Sequence, residues 1–308
     1  MATSTVTSAK AIAARDDSIV RLAVLRDYWT LTKPEVNFLI AIAAAAGFYL
    51  GSRSKVDALS SMRLFHTVLG TLLTAGGGAA LNQYIERRFD ARMRRTARRP
   101  LASGRLDDAS ASRFGLALSS SGVVYLAIAT NALAAALGFV TWAIYLGIYT
   151  PLKRKTALCT FIGAFSGAMP PVIGWAAASG ELSVVAALLY AVLFLWQFPH
   201  FMAIAWMHRE DYDRAGYHVL PCGPRGERMM AWQALVPAAA LIPLSVAAMI
   251  AMDARWLSVA AALILGTAFA ASAVPLAVCK TNLAARRLLR ASIAYLPALL
   301  LLMVAAAK

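Results

Sequence analysis

Apolar residues fall in nine near-continuous runs along this chain: Val36–Gly51, Leu64–Tyr84, Phe114–Thr130, Ala132–Thr150, Phe161–Ser179, Leu182–Met207, Met229–Met252, Leu257–Val278 and Leu288–Ala306. A run of about 20 mostly apolar residues is long enough to cross a bilayer as a helix. Asn131 barely separates the third run from the fourth, so eight crossings are the alternative to nine. Lipid offers no partner to an unpaired backbone group, so the predicted fold is all-α, a polytopic membrane bundle of about nine transmembrane helices. The runs are rich in Ala and Leu with scattered Gly, which suits close helix packing in lipid. No period of 20–50 residues marks a solenoid. The short connections predict one membrane domain over 31–308, preceded by a short tail over 1–30.

Composition agrees: 60% of the chain is apolar and 15% is charged, against about 25% charged in soluble domains. The net charge of +15 raises nucleic acid as a partner, but its distribution argues against one. Lys10, Arg15, Arg21, Arg26 and Lys33 precede the first run. Arg87 to Arg105 fill the second connection, Lys153–Lys155 the fourth, Arg209, Arg214, Arg225 and Arg228 the sixth, and Lys280, Arg286, Arg287 and Arg290 the eighth. The other side carries little beyond Arg53, Lys55, Arg63, Arg255 and Lys308. This positive-inside alternation predicts a cytoplasmic N-terminus and an external C-terminus, and no basic–aromatic nucleic-acid module is present. The first 30 residues hold Asp16 and Asp17 and no apolar core, unlike a cleavable signal. Cys159, Cys222 and Cys279 lack metal-ligand spacing and fall near the predicted cytoplasmic side, where thiols stay reduced.

Polar groups that an apolar chain retains are functional candidates. Asn82, Glu86 and Asp90 are spaced four and four in LNQYIERRFDARMRRTARRP. Each step of four drifts only about 40° around a helix, so the three share one stripe. Two carboxylates and an amide, all oxygen donors, suit Mg2+. With Arg87, Arg88, Arg92, Arg94, Arg95, Arg98 and Arg99 around them, they fit a metal–diphosphate site. A solvated helix held by ion pairs fits the same spacing. A second cluster, His200, His208, Glu210, Asp211 and Asp213, closes the sixth run. On an unbroken helix His200 and Asp211 share a face about 16 Å apart. Asp211 is a candidate cation ligand. His200, deeper, is a candidate ligand or base, or else an interhelical hydrogen-bonding residue. Lys153, Arg154 and Lys155 form a compact cationic patch, read equally as positive-inside charge. Gly163, Gly167, Pro170, Pro171 and Gly174 predict a kinked or closely approached fifth helix, shaped by bundle packing or by a ligand cavity.

Taken together, LTKPEV, the Asn82–Pro100 block, YTPLKRKT with GAMPPVIGW, PHF with REDYDRAG and VLP, and SIAYL near the end resemble the UbiA-type intramembrane prenyltransferases, specifically their haem-modifying branch. The resemblance implies nine helices around a cavity open to the cytoplasmic side and laterally to lipid. It implies farnesyl diphosphate as donor, protohaem IX as acceptor and substrate, and a vinyl group converted to hydroxyethylfarnesyl, giving haem O for terminal oxidases. It implies Mg2+ held by Asn82, Glu86, Asp90 and Asp211, and substrate contacts from Arg94, Lys153, Arg154, His200 and Tyr212. It implies a bacterial inner membrane, contact with membrane lipid, and a haem A synthase as partner. Three positions depart from the family pattern: Glu86 stands where Asp is usual, Cys159 where Asn is usual, and Glu35 where a basic residue is usual. An aromatic, quinone-precursor acceptor is the rival reading within the family. A transporter of an anionic lipid or metabolite is the rival outside it, and would often show matched halves.

Overall fold

The structure, a computed structural model, describes residues 21–52, 57–221 and 223–307. Lys10, Arg15, Asp16, Asp17, Arg53, Lys55, Cys222 and Lys308 lie outside the described residues. Among the described residues the chain is helical, without strands, and nine helices are long and apolar enough to cross a membrane. They are α1 (Pro34–Gly51), α2 (Ala58–Asp90), α3 (Asp108–Ala129), α4 (Ala132–Leu152), α5 (Cys159–Ser179), α6 (Val184–Met207), α7 (Pro224–Ala251), α8 (Trp256–Cys279) and α9 (Asn282–Ala306).

Nine crossings rather than eight is decided at Asn131. Its backbone is extended, its side chain accepts from Ala134 N, and its amide donates to Ala176 O at 2.7 Å. An Asn that caps a new helix while tying back to α5 is a true break between α3 and α4. Helix α2 runs longer than its apolar core. Its 33 residues span about 50 Å, more than the roughly 30 Å of bilayer hydrocarbon. The excess carries Glu86 and Asp90 on the same continuous helix as Asn82.

Helices α2, α3, α4 and α5 pack in succession, and α6 to α9 form a second group. Between the groups α1 packs on α2, α5 and α9, while α6 packs on α5, α7 and α9. The crossing of α1 with α5 depends on two glycines. A Cβ on Gly47 would lie 1.9 Å from Pro171 O, and one on Gly174 would lie 2.0 Å from Ala44 O. Backbone touches backbone there, as close helix pairs in lipid require.

Three irregularities prepare the site. In α4, residues Ile144–Tyr149 form a π-helix, an expansion often found where a helix serves function. It stacks Tyr145 on Tyr149 and leads into Lys153. Helix α5 breaks between Cys159–Gly167 and Pro170–Ser179, because Pro170 and Pro171 cannot extend a preceding turn. The kink expected from the sequence is therefore present. Helix α6 ends at Met207, and His208 leaves helical geometry before a short helix over Arg209–Ala215. The expectation that His200 and Asp211 share one unbroken helix face fails at that break. The 16 Å separation drawn from it has no basis in this fold.

Candidate active site

One large cavity, about 870 Å³, runs between the two helix groups. Its polar floor is made by the stripe on α2. Asn82, Glu86 and Asp90 all line it and are 1%, 5% and 1% exposed. Carboxylates this deep require charge partners, and each finds one from a different segment. Lys153, just past α4, donates to Glu86 Oε1 at 2.8 Å. Arg99, in the loop after α2, donates to Asp90 Oδ2 at 2.7 Å. Lys33, just before α1, donates to Asn82 Oδ1 at 2.9 Å, and Asn82 Nδ2 donates to Thr150 Oγ1 at 3.1 Å.

Lys33 holds a left-handed backbone, φ 52°, between a helical stretch over 21–31 and Pro34. A non-glycine residue in that region is strained. The strain aims the ammonium onto the floor. Burial, then the positive charges of Arg99 and Lys153, push its pKa down to about 7. Burial also opposes the Lys153 ammonium, but the Glu86 carboxylate outweighs it and holds its pKa well above the usual value. The floor thus gathers Lys33, Arg95, Arg99 and Lys153 around two carboxylates, and an arriving anion would relieve the repulsion among them.

The donor set fits a hard cation. Asp90 Oδ1 is buried without a hydrogen-bond partner, although its partner oxygen is engaged by Arg99. Among the described residues no three His, Cys, Asp or Glu side chains gather into a metal-binding group. That is compatible with Mg2+, which is bound by one or two carboxylates with phosphate oxygens and water supplying the rest.

The second cluster lies differently. Asp211 does not line the cavity. Its Oδ1 accepts from Arg214 at 3.0 Å and its Oδ2 from the backbone of Arg95 at 3.4 Å. Burial pushes its carboxyl up, but the backbone N–H groups of Arg94 and Arg95 and the Arg214 guanidinium outweigh this and hold it below the ordinary range. Asp211 therefore fastens the loop that presents Arg95 and Arg99. Arg94 and Arg154 are exposed and outside the cavity wall, Arg154 lying 5.0 Å over the Phe89 ring. Tyr212 does line the cavity. Sequence reasoning missed Lys33 and the choice of Arg95 and Arg99 over Arg94. The Lys-Pro pair before α1 was the available signal for the first.

Above the floor the cavity is apolar. His200 and Trp196 face it from α6, their rings stacked at 4.9 Å. Trp196 Nε1 donates to Ser292 O on α9 at 2.8 Å. Ser292 Oγ donates to Leu289 O and lies 2.8 Å from His200 Nδ1. With its hydrogen so placed, the hydroxyl accepts from Nδ1–H, which leaves Nε2 as a free lone pair. His200 is thus both an interhelical hydrogen-bonding residue and a cavity-facing one. Val36 and Phe38 of α1 and Ile293 of α9 line the same cavity and are exposed.

A membrane-embedded chamber with an acid stripe, four basic side chains and an apolar upper part defines an intramembrane enzyme for an amphipathic anion. Comparison with known proteins agrees. The model of the UbiA prenyltransferase family matches residues 39–305, and the chain belongs to that family. It is 47% identical to the protoheme IX farnesyltransferase of Solibacter usitatus over 89% of this chain and 96% of the relative. It is 43% identical to that of Koribacter versatilis over 91% and 93%. Among solved structures, a digeranylgeranylglyceryl phosphate synthase superposes with a TM-score of 0.74 at 16% identity, over 92% of this chain and 98% of that one. A UbiA homologue from Archaeoglobus fulgidus bound to GPP and Mg2+ gives 0.63 at 14%, over 91% and 99%.

The pairing of Lys153 with Glu86 yields a stability prediction. Lys153→Met leaves a buried carboxylate unpaired and is expected to cost about 3–5 kcal/mol. Adding Glu86→Gln should restore most of it. Thermal unfolding in detergent reads this, and a double variant no more stable than the single one would show that the pair is not coupled.

Proposed function

We propose that the chain transfers the farnesyl group of farnesyl diphosphate to a vinyl group of protohaem IX, giving the hydroxyethylfarnesyl side chain of haem O. The observation that carries this reading is one cavity joining a cation-ringed, carboxylate-bearing floor to an apolar chamber walled by an indole and an imidazole. The names of the relatives similar over most of the chain support the acceptor.

In this reading Asn82, Glu86 and Asp90 hold Mg2+, whose chemistry when bound is to neutralise the diphosphate as charge develops on it. Lys33, Lys153, Arg95 and Arg99 bind the same oxygens and stabilise the departing anion. Asp211 fixes the arginine loop, and Arg94 and Arg154, exposed beside it, draw the anionic donor inward. The allylic C–O bond breaks with its electron pair leaving on the diphosphate. The apolar wall keeps stray water from the carbocation until the vinyl carbon attacks; water then adds to the cation left on the acceptor side and releases a proton, giving the hydroxyl. His200 Nε2 and the Trp196 face meet the macrocycle. The site works from the cytoplasmic face of a bacterial inner membrane, and a haem A synthase receives the product.

Purified protein given farnesyl diphosphate, protohaem and Mg2+ is expected to form the farnesylated haem, and excess chelator to abolish it. Asp90→Ala should insert normally and lose about 10²–10³-fold in turnover, the scale of one lost charge-stabilising contact. Full activity in either case would overturn the floor's role, and product only with an aromatic acceptor would overturn haem.

His200→Ala is expected to weaken haem binding and shift the haem absorption spectrum while pyrophosphate binding survives. Haem titration beside a pyrophosphate-binding assay reads both. An unchanged haem affinity and spectrum leaves His200 with its Ser292 bond alone.

Orientation follows from the basic loops that carry the floor. Reporter fusions at Ala2 and Lys308 should report opposite sides of the membrane, the first cytoplasmic. Both on one side would refute nine crossings.

A further inference from the structure

Tyr217 is placed with unusual care for a residue in a connecting loop. Gly216, with φ 76°, ends the Arg209–Ala215 helix, and Tyr217 N then donates to Tyr212 O at 2.9 Å. The next residue, His218, donates its backbone N–H to Lys153 O at 2.8 Å, which sets the position of this turn against that of Lys153. The ring packs on Phe89, 5.6 Å away on α2, and edge-on to Tyr212 at 6.1 Å. Tyr217 is 5% exposed, lines the cavity, and its hydroxyl is buried without a hydrogen-bond partner.

A phenol hydroxyl buried with nothing to bond leaves its lost hydration uncompensated, so the arrangement is incomplete without a ligand. Two other orphans belong to residues lining the cavity, Trp142 Nε1 and, at the floor with Tyr217, Asp90 Oδ1. The two at the charged floor have opposite needs: the carboxylate oxygen calls for a cation and the hydroxyl for an acceptor. A diphosphate carrying a divalent cation offers both together. Burial, and then the Glu86 charge, push the Tyr217 phenol far above its usual pKa, so it stays protonated and able to donate.

We infer that Tyr217 is a substrate-binding residue whose hydroxyl donates a hydrogen bond to a non-bridging oxygen of the prenyl donor's diphosphate. No proton is transferred. The allylic C–O bond breaks with its electrons on the diphosphate, and the bond from Tyr217 strengthens as that charge develops. This inference rests on the donor site proposed above and adds a neutral donor to its cations.

The test compares Tyr217→Phe, Tyr217→Ala, Asp90→Ala and Lys153→Met in the full-length purified protein. The readouts are kcat, KM for each substrate, inhibition by inorganic pyrophosphate with Mg2+, and thermal unfolding. Tyr217→Phe keeps the ring contacts with Phe89 and Tyr212 and is expected to unfold as the parent does. It should lose about tenfold or more in kcat/KM for the donor, with pyrophosphate inhibition weakened and the haem KM unchanged. A Phe variant matching the parent in donor kinetics and pyrophosphate inhibition, with only the Ala variant impaired, would overturn the inference and leave Tyr217 as a packing residue. A loss confined to the haem KM would also overturn it. If Asp90→Ala and Lys153→Met lose pyrophosphate inhibition while Tyr217→Phe retains it, the donor site stands and the inference about Tyr217 fails. If pyrophosphate inhibition survives in all four, the donor site itself is misplaced and the inference falls with it.

Discussion

The structure depends on burying Glu86 and Asp90 at the end of α2. A carboxylate in an apolar bundle is stable only with charge and hydrogen bonds around it, and α2 supplies neither. Cations arrive from before α1, from the loop after α2 and from the end of α4. Those three segments must therefore converge at one end of the bundle. Asp211, arriving after α6, ties the arginine loop in place, and His218 ties the turn beyond it to Lys153. Neutralisation is nevertheless incomplete, since Asp90 Oδ1 is left without a partner. The same constraint that assembles the loops keeps the floor ready for a charged ligand.

The irregular helices follow from what stands above that floor. A straight α4 would continue its lipid-facing pattern, whereas the π-helical turn carries two stacked tyrosines along the wall toward Lys153. At the broken α5, Gly163 and Gly167 let Tyr149 and Gln197 approach so closely that a Cβ at either glycine would strike them. The cavity is thus lined by the irregular α4 and α5 together with stretches of α1, α2, α6 and α9.

Much of this was legible in the sequence because the bilayer reduces the problem to one dimension. An ionisable residue in an apolar run is costly wherever it points, so the four-and-four stripe of Asn82, Glu86 and Asp90 stood out, as did the nine runs and the kink at Pro170 and Pro171. Lys33 did not stand out, because one lysine before a proline looks like ordinary positive-inside charge until a left-handed turn aims it inward. Among the five arginines between Arg92 and Arg99, composition could not choose Arg95 and Arg99 over Arg94; the attachment of the loop to Asp211 makes that choice. The break at His208 was invisible because it removes no apolar residue. Tyr217 was hidden for a similar reason, since its burial depends on the turn at Gly216 and not on any period.

Helices α1 and α9, which both line the chamber, are held differently. Helix α1 is held at both ends, by Lys33 on Asn82 and by the backbone contact of Gly47 with Pro171. Helix α9 contains Pro297, which removes one of its helical hydrogen bonds, and Ser292 links it to α6. That residue fixes both the indole of Trp196 and the tautomer of His200. Any displacement of α9 would therefore loosen the indole and the imidazole together, so the two rings that wall the chamber share one anchor.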